Sequence, residues 1–154
     1  MFPLSIKDKI FIPMERTTET RSAVLKQVEM LLLSVAARDV RRISGWVTFK
    51  GGFLRFVTNM NILVPIDYGA ITIEENESGT FVKYELSVQL MLGFVSAAVI
   101  LLFSYMLFHD HKPWASCLQI ASFAWAWLFG GNYAIARHRF PRWLDRGIRQ
   151  IPNH

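Results

Sequence analysis

The chain has 154 residues, of which 52% are hydrophobic and only 19% are charged, and its formal net charge is +5. This apolar excess lies above that of soluble domains and indicates a membrane protein. The single cysteine, Cys117, excludes an intrachain disulfide, a zinc site of several cysteines and a redox pair.

Residues 1–87 are predicted to form a cytoplasmic α+β domain. Residues 7–12 predict a first strand, and residues 18–38 place apolar side chains at helical intervals, which predicts one amphipathic helix. Short β segments are predicted at residues 43–50, 53–58, 61–66, 70–75 and 80–87, with turns at 51–52, 67–69 and 76–79. We therefore expect an antiparallel β meander that this helix alone covers.

Two uncharged apolar segments follow, at residues 88–108 and 114–136. At about 1.5 Å per residue, each is long enough to cross the roughly 30 Å hydrocarbon core of a bilayer. Residues 109–113 are too few to cross it again, so the two helices must be antiparallel neighbours. The sequence thus predicts a two-helix transmembrane hairpin over residues 88–136.

Residues 137–154 form a basic tail that carries almost the whole net charge of the chain. The positive-inside rule places such a cluster in the cytoplasm, which predicts a multi-pass protein of the cell inner membrane with both termini cytoplasmic. Apolar side chains recur at helical spacing from Phe140, with arginines between them, and this pattern predicts an amphipathic helix lying in the membrane interface. The alternative is that the apolar face docks onto the N-terminal domain or a neighbouring subunit. The residues predicted at the membrane interface are Trp114, Arg139, Arg142, Trp143, Arg146 and Arg149.

Small residues recur along both predicted membrane helices. They are Gly93 and Ala97 in the first, and Ser122, Ala126, Gly130 and Ala134 in the second. Such spacing lets helix backbones approach closely, either at the seam between the two helices of this chain, which we favour, or at a docking face for a partner's helix. Trp125 and Trp127 lie near the middle of the second segment, and each indole N–H needs an acceptor there.

No pattern in the sequence indicates catalysis or a cofactor. Neither predicted span contains an ionisable residue, which disfavours an ion pathway or a haem site. His109, Asp110 and His111 resemble metal ligands, but they lack a fourth ligand nearby and fit a solvated turn better. Residues 1–87 contain no histidine, and the chain has no phosphate-binding glycine loop. We therefore expect no enzymatic activity and, because the basic excess lies beside the membrane, no nucleic-acid binding.

The sequence favours a non-catalytic accessory or scaffolding membrane subunit. It would sit in the lipid bilayer and bind a membrane protein partner, or self-associate, through its hairpin and cytoplasmic domain. The alternative is a membrane-anchored module that encloses a lipid or other hydrophobic ligand between the sheet and the amphipathic helix. The candidate walls of that pocket are Trp46, Phe56, Phe81 and Tyr84.

Overall fold

The computed structural model describes residues 5–12, 18–52, 62–76, 79–110 and 113–150. Its strands are β1 (Ser5–Ile12), β2 (Arg38–Ile43), β3 (Trp46–Lys50), β4 (Tyr68–Asn76) and β5 (Gly79–Ser87). Its α-helices are α1 (Thr18–Ser34), α2 (Gln89–Phe108), α3 (Trp114–Trp125) and α4 (Gly131–Arg149). A π-helical turn, Ala126–Gly130, joins α3 to α4 with helical backbone angles on both sides.

The five strands form one antiparallel sheet in the order β1-β5-β4-β3-β2. In β5, Val82, Tyr84 and Leu86 are buried, whereas Lys83 and Glu85 are exposed on the other face. This period of two is what a sheet with one covered face requires. The predicted antiparallel sheet is confirmed.

Three boundaries differ from the sequence-based prediction. Residues 43–50 contain a tight turn at Ser44 and Gly45, where Gly45 has a φ of +97°, so β2 and β3 are separate strands. Helix α1 ends at Ser34, and a φ of +60° at Ala36 turns the chain into β2. Residues 62–65 form a turn instead of a strand, and the strand predicted at 53–58 lies outside the described residues.

Two helices cover the sheet, and the expectation of a single cover is wrong. Helix α4 packs beside α1, where the Gln27 Nε2 atom donates a hydrogen bond to the Gly147 carbonyl at 3.4 Å. The Phe140 ring lies 6.2 Å from Phe49 and 5.4 Å from Tyr84, measured between centroids. The apolar face of α4 therefore completes the core of the domain.

Helices α2 and α3 pack together as an antiparallel pair that extends from the end of β5. Among the described residues, α2 is the one helix that is long and apolar enough to cross a membrane. The second predicted span, residues 114–136, is divided among α3, the π turn and the start of α4. Since α3 itself has only 12 residues, two separate membrane helices are not supported by length.

Candidate functional site

The buried residues between α2 and α3 differ from the predicted small-residue set. The buried residues of this seam are Met91, Val95, Val99 and Met106 of α2, with Cys117 and Ala121 of α3. The Trp125 indole Nε1 donates a hydrogen bond to the Ser96 hydroxyl at 3.1 Å. The indole N–H of Trp125 therefore has its acceptor within the α2–α3 pair, as a buried indole requires, and this acceptor is a serine hydroxyl.

The predicted small residues lie outside the buried part of this seam, although Ser122 borders a groove between α2 and α3. All of them are exposed: Gly93, Ala97, Ser122, Ala126, Gly130 and Ala134. A Cβ atom added at Gly93 or Gly130 would meet nothing within 4 Å. These six residues form an outer small-residue face, which favours the docking alternative over a seam between the chain's own helices, and their role in helix packing stays a prediction.

The π turn lies in the middle of this outer face. In an α-helix of 3.6 residues per turn, residues spaced by four drift around the axis by about 40° at each step. A π turn holds more residues per turn, so each of its residues rotates through a smaller angle. This smaller rotation offsets part of the drift. Ser122 and Ala134 consequently stay closer to one line than they would in an unbroken α-helix. The Asn132 amide donates to the Leu128 carbonyl at 2.6 Å and occupies an acceptor within this turn.

Large apolar side chains flank the small residues on the outside of the hairpin. Trp127 and Phe123 are each 71% exposed, and their rings stack with centroids 6.3 Å apart. An apolar groove of about 400 Å³ runs between α2 and α3, bordered by Phe103, Leu118 and Trp125. These exposed rings and the groove give the outside of the α2–α3 pair an apolar surface.

A carboxylate from the sheet domain holds the start of α2. The Leu90 backbone N–H donates to Asp67 Oδ2 at 2.7 Å, and the Asp67 N–H donates to the Ser87 carbonyl at 2.9 Å. Val88, at the N-cap position, offers no side-chain acceptor. Burial raises the pKa of Asp67, while the backbone N–H groups of residues 89–91 act in the opposite direction. The sequence around Asp67 predicts only a turn, because the partner of its carboxylate lies 23 residues away.

The three candidate pocket walls that the structure describes do not line one cavity. Tyr84 is buried beneath α4, where burial and the neighbouring Asp8 carboxylate raise its pKa to about 12. Trp46 and Phe81 lie on the opposite, open face of the sheet, and Phe56 is outside the described residues. Between the sheet and its helices, aromatic rings fill the space where the pocket was expected.

The tail docks on protein, not on lipid, through its apolar face. Leu144 and Ile148 are buried in the same core as the sheet, so the prediction that they enter the bilayer is wrong and the docking alternative is right. The arginines predicted at the interface, Arg139, Arg142, Arg146 and Arg149, are exposed, and Trp143 is half-buried. Trp114 is exposed at the end of the hairpin farthest from the sheet. Membrane contact by these six residues stays a prediction.

The turn between α2 and α3 contains the residues that resemble metal ligands but were expected to form a solvated turn. His109 packs edge-on against Tyr105 with centroids 4.8 Å apart, while His111 lies outside the described residues. In the part of the chain that the structure describes, no group of three His, Cys, Asp or Glu side chains is placed to hold a metal.

No protein-family model, curated protein or solved structure matches this chain. Its function is therefore inferred from its own residues.

Proposed function

We propose that this chain is a non-catalytic accessory or scaffolding subunit of the cell inner membrane. It spans the bilayer as a two-helix hairpin and holds its sheet domain at a fixed position on the cytoplasmic side. Through the outer small-residue face it packs against a helix of a membrane protein partner or of a second copy.

The exposure of α2 supports the membrane location. Only 17% of its apolar window is buried, whereas a core helix of a soluble protein is mostly buried. Its outward side chains include Leu101 and Phe108, which are 71% and 75% exposed. In water this surface would form a large apolar patch, which soluble monomers rarely carry.

The continuous helical backbone supports a second crossing. Helix α3, the π turn and the first turns of α4 follow one another without a break, and no charged residue occurs from Trp114 to Ala136. At about 1.5 Å per residue, the first 20 residues of this helix already reach the roughly 30 Å of the hydrocarbon core. Its π turn keeps the chain helical, so backbone groups beyond the first turn have intrahelical partners close by.

Rigid attachment of the domain supports a scaffolding role. Strand β5 ends at Ser87 and α2 begins at Gln89, which leaves no flexible linker. Asp67 holds the start of α2, and α4 continues from the hairpin into the core of the domain. A domain held in this way presents its open sheet face in one orientation, as an assembly subunit must.

The observation that carries the proposal is the outward direction of the small residues. A chain that needed only to anchor itself would gain nothing from small side chains facing lipid. In a membrane, close backbone approach between helices supplies van der Waals contact that larger side chains prevent. Gly130 and its neighbours are available for that approach because the chain's own seam does not use them.

Native mass spectrometry of protein extracted together with its lipids tests this proposal. Gly130→Leu is compared with Gly131→Leu, which is a matched control because both glycines are exposed and neither added Cβ meets an atom within 4 Å. The wild type should carry a second copy or another polypeptide, Gly130→Leu should lose it, and Gly131→Leu should keep it. A wild type that is always a bare monomer, or two variants that behave alike, would contradict a docking role.

The alternative of a hydrophobic ligand between the sheet and its helix has less support, since the candidate walls lie on different faces. The same spectra address it. A stoichiometric small molecule on a monomer would favour the ligand-binding module over the scaffold.

A further inference from the structure

One corner of the sheet domain combines cations, hydroxyls and an exposed indole around a glycine turn. The Arg21 guanidinium, from the beginning of α1, lies over the β2–β3 turn, with Nη2 only 2.8 Å from where a Cβ of Gly45 would be. Gly45 also has a φ of +97°, so both this backbone conformation and the nearby Arg21 guanidinium favour glycine at this position. The turn and the guanidinium are therefore fitted to each other.

Two clefts meet at Arg21 and Gly45. The first, of about 270 Å³, lies between α1 and β2 and is also bordered by Ser22, Arg42 and Ser44. The second, of about 330 Å³, lies on the open face of the sheet and is also bordered by Trp46, Thr72, Glu74 and Lys83. Small-molecule sites commonly occupy about 300–1,000 Å³, so the two clefts together fit a compact ligand.

The cations of this corner are loosely engaged with protein carboxylates. Arg42 is 3.9 Å from Glu29, and Lys83 is 3.7 Å from Glu74. Elsewhere on the sheet, the Lys7–Glu85 and Lys50–Asp39 pairs are closed at 2.7 Å. Within the described residues Arg21 has no carboxylate partner within 4.0 Å, although it is half-buried. A guanidinium in this position has its donors available for an anion.

We infer that this corner binds a soluble phosphate-bearing ligand with a flat ring, of the nucleotide class. Arg21 and Arg42 offer the forked donors that match phosphate oxygens, and the Ser22 and Ser44 hydroxyls add neutral donors. The beginning of α1 adds the positive end of a helix dipole. The indole of Trp46, 46% exposed in the second cleft, provides the surface on which the ring stacks.

The position of the corner favours a soluble ligand over a lipid headgroup. Trp46 pairs with Thr72, and Thr72 pairs with Lys83, so these residues form one row across the sheet. Lys83 precedes Ser87 by four residues, which is about 13 Å along a strand. The row therefore stands well away from Gln89, where the membrane helix begins.

Binding of ATP to the full chain in nanodiscs of neutral lipid tests this inference. The wild type should bind ATP and should bind tripolyphosphate more weakly, because the latter lacks a ring. Arg21→Gln should weaken both by about tenfold or more. Trp46→Leu should weaken ATP and leave tripolyphosphate unchanged. Arg38→Gln, on the same strand as Arg42 but at its other end, is the control and should change neither.

Three results would overturn the inference. The first is an absence of ATP binding by the wild type at millimolar concentration. The second is a loss of ATP affinity in Arg38→Gln equal to that in Arg21→Gln. The third is an ATP affinity that changes with the fraction of anionic lipid in the nanodisc. The thermal melting of each variant confirms that the fold is intact, since Arg21 and Trp46 lie outside the buried core. The subunit role proposed above does not depend on this result.

Discussion

Asp67 connects the sheet domain to the start of α2 through a side-chain hydrogen bond. Its carboxylate accepts the Leu90 N–H, and so replaces the cap that Val88 cannot provide. Two opposing effects act on it: the helix N-terminus favours a negative charge, whereas partial burial disfavours one. The raised pKa of Asp67 indicates that burial is the stronger effect.

Substitutions at Asp67 separate the hydrogen bond from the charge. Asp67→Ala removes the acceptor and should lower the free energy of unfolding by about 0.5–2 kcal/mol, as loss of a helix cap does. Asp67→Asn keeps an oxygen for the Leu90 N–H and should be at least as stable as the wild type at pH 7. Thermal or denaturant melts in a mild detergent measure both. Equal losses in the two variants would show that the charge, not the acceptor, stabilises α2.

The pH dependence follows from the direction of the shift. Because the folded chain holds the Asp67 proton more tightly than the unfolded chain, the stability that this group contributes is greatest below its ordinary pKa of 3.8. That contribution is lost as pH rises through the folded-state pKa. The stability of the wild type relative to Asp67→Asn should therefore fall between acid and neutral pH. A rise over the same interval would show that the helix N-terminus acts on the Asp67 carboxylate more strongly than burial does.

Helix α4 has two roles: it continues from α3 and the π turn, and it closes the core of the domain. Leu144→Ala should lower the free energy of unfolding of the domain by about 2–5 kcal/mol, because the side chain is fully buried against protein. Arg142→Ala, exposed on the same helix, should change it by less than about 0.5 kcal/mol. Melting curves that are unchanged in Leu144→Ala would show that this face lies in lipid instead.

The contact of α4 with α1 depends on the absence of a side chain at Gly147. A Cβ there would lie within 2.3 Å of the Leu31 Cδ1 atom, so Gly147→Ala should push the helices apart at a cost of about 1–3 kcal/mol. Leu31→Ala should relieve the clash. The double variant should therefore be less destabilised than the sum of the two single variants, as a double-mutant cycle measures. Simple additivity would mean that the helices do not meet at this point.

The sequence predicts an element correctly where its pattern of side chains fits only one kind of structure. Alternating residues in β4 and β5 and the uncharged run of α2 each led to the observed element. The apolar face of α4 was ambiguous, since the spacing of Leu144 and Ile148 suits lipid and protein equally well. The four-residue repeat ending at Ala134 marks a face of a helix but not its direction. That direction depends on which residues are buried between α2 and α3, and the sequence does not show this.

The corner at Gly45 was missed for a different reason. Ile43 to Lys50 reads as one β segment, so the turn at Ser44 and Gly45 was not expected. Without that turn, nothing in the sequence brings Arg21 of α1 close to the start of β3. Contacts between distant segments, like that of Asp67 with α2, leave no local pattern along the chain.

For the molecule as a whole, the continuous helix from α3 to α4 fixes where its parts lie relative to the hairpin. The sheet and α4 are packed together beside the start of α2, while the α2–α3 turn lies at the other end of α2, about 30 Å away at 1.5 Å per residue. Exposed residues of β4 and of the end of α4 must consequently share one side of any membrane that the hairpin crosses. In the orientation proposed from the arginines of α4, this side is the cytoplasmic one.

Single cysteines placed at Glu75, Gln150 and His109 test this arrangement in intact cells. All three positions are exposed, and the native Cys117 is fully buried, so it contributes little background. A membrane-impermeant maleimide should label His109→Cys in intact cells, and should label Glu75→Cys and Gln150→Cys only after permeabilisation.

The three possible failures of this prediction have different meanings. Different behaviour of Glu75→Cys and Gln150→Cys would contradict the docking of α4 on the sheet. Labelling of that pair with protection of His109→Cys would reverse the orientation but keep the fold, and identical labelling of all three would show that the hairpin does not cross the membrane.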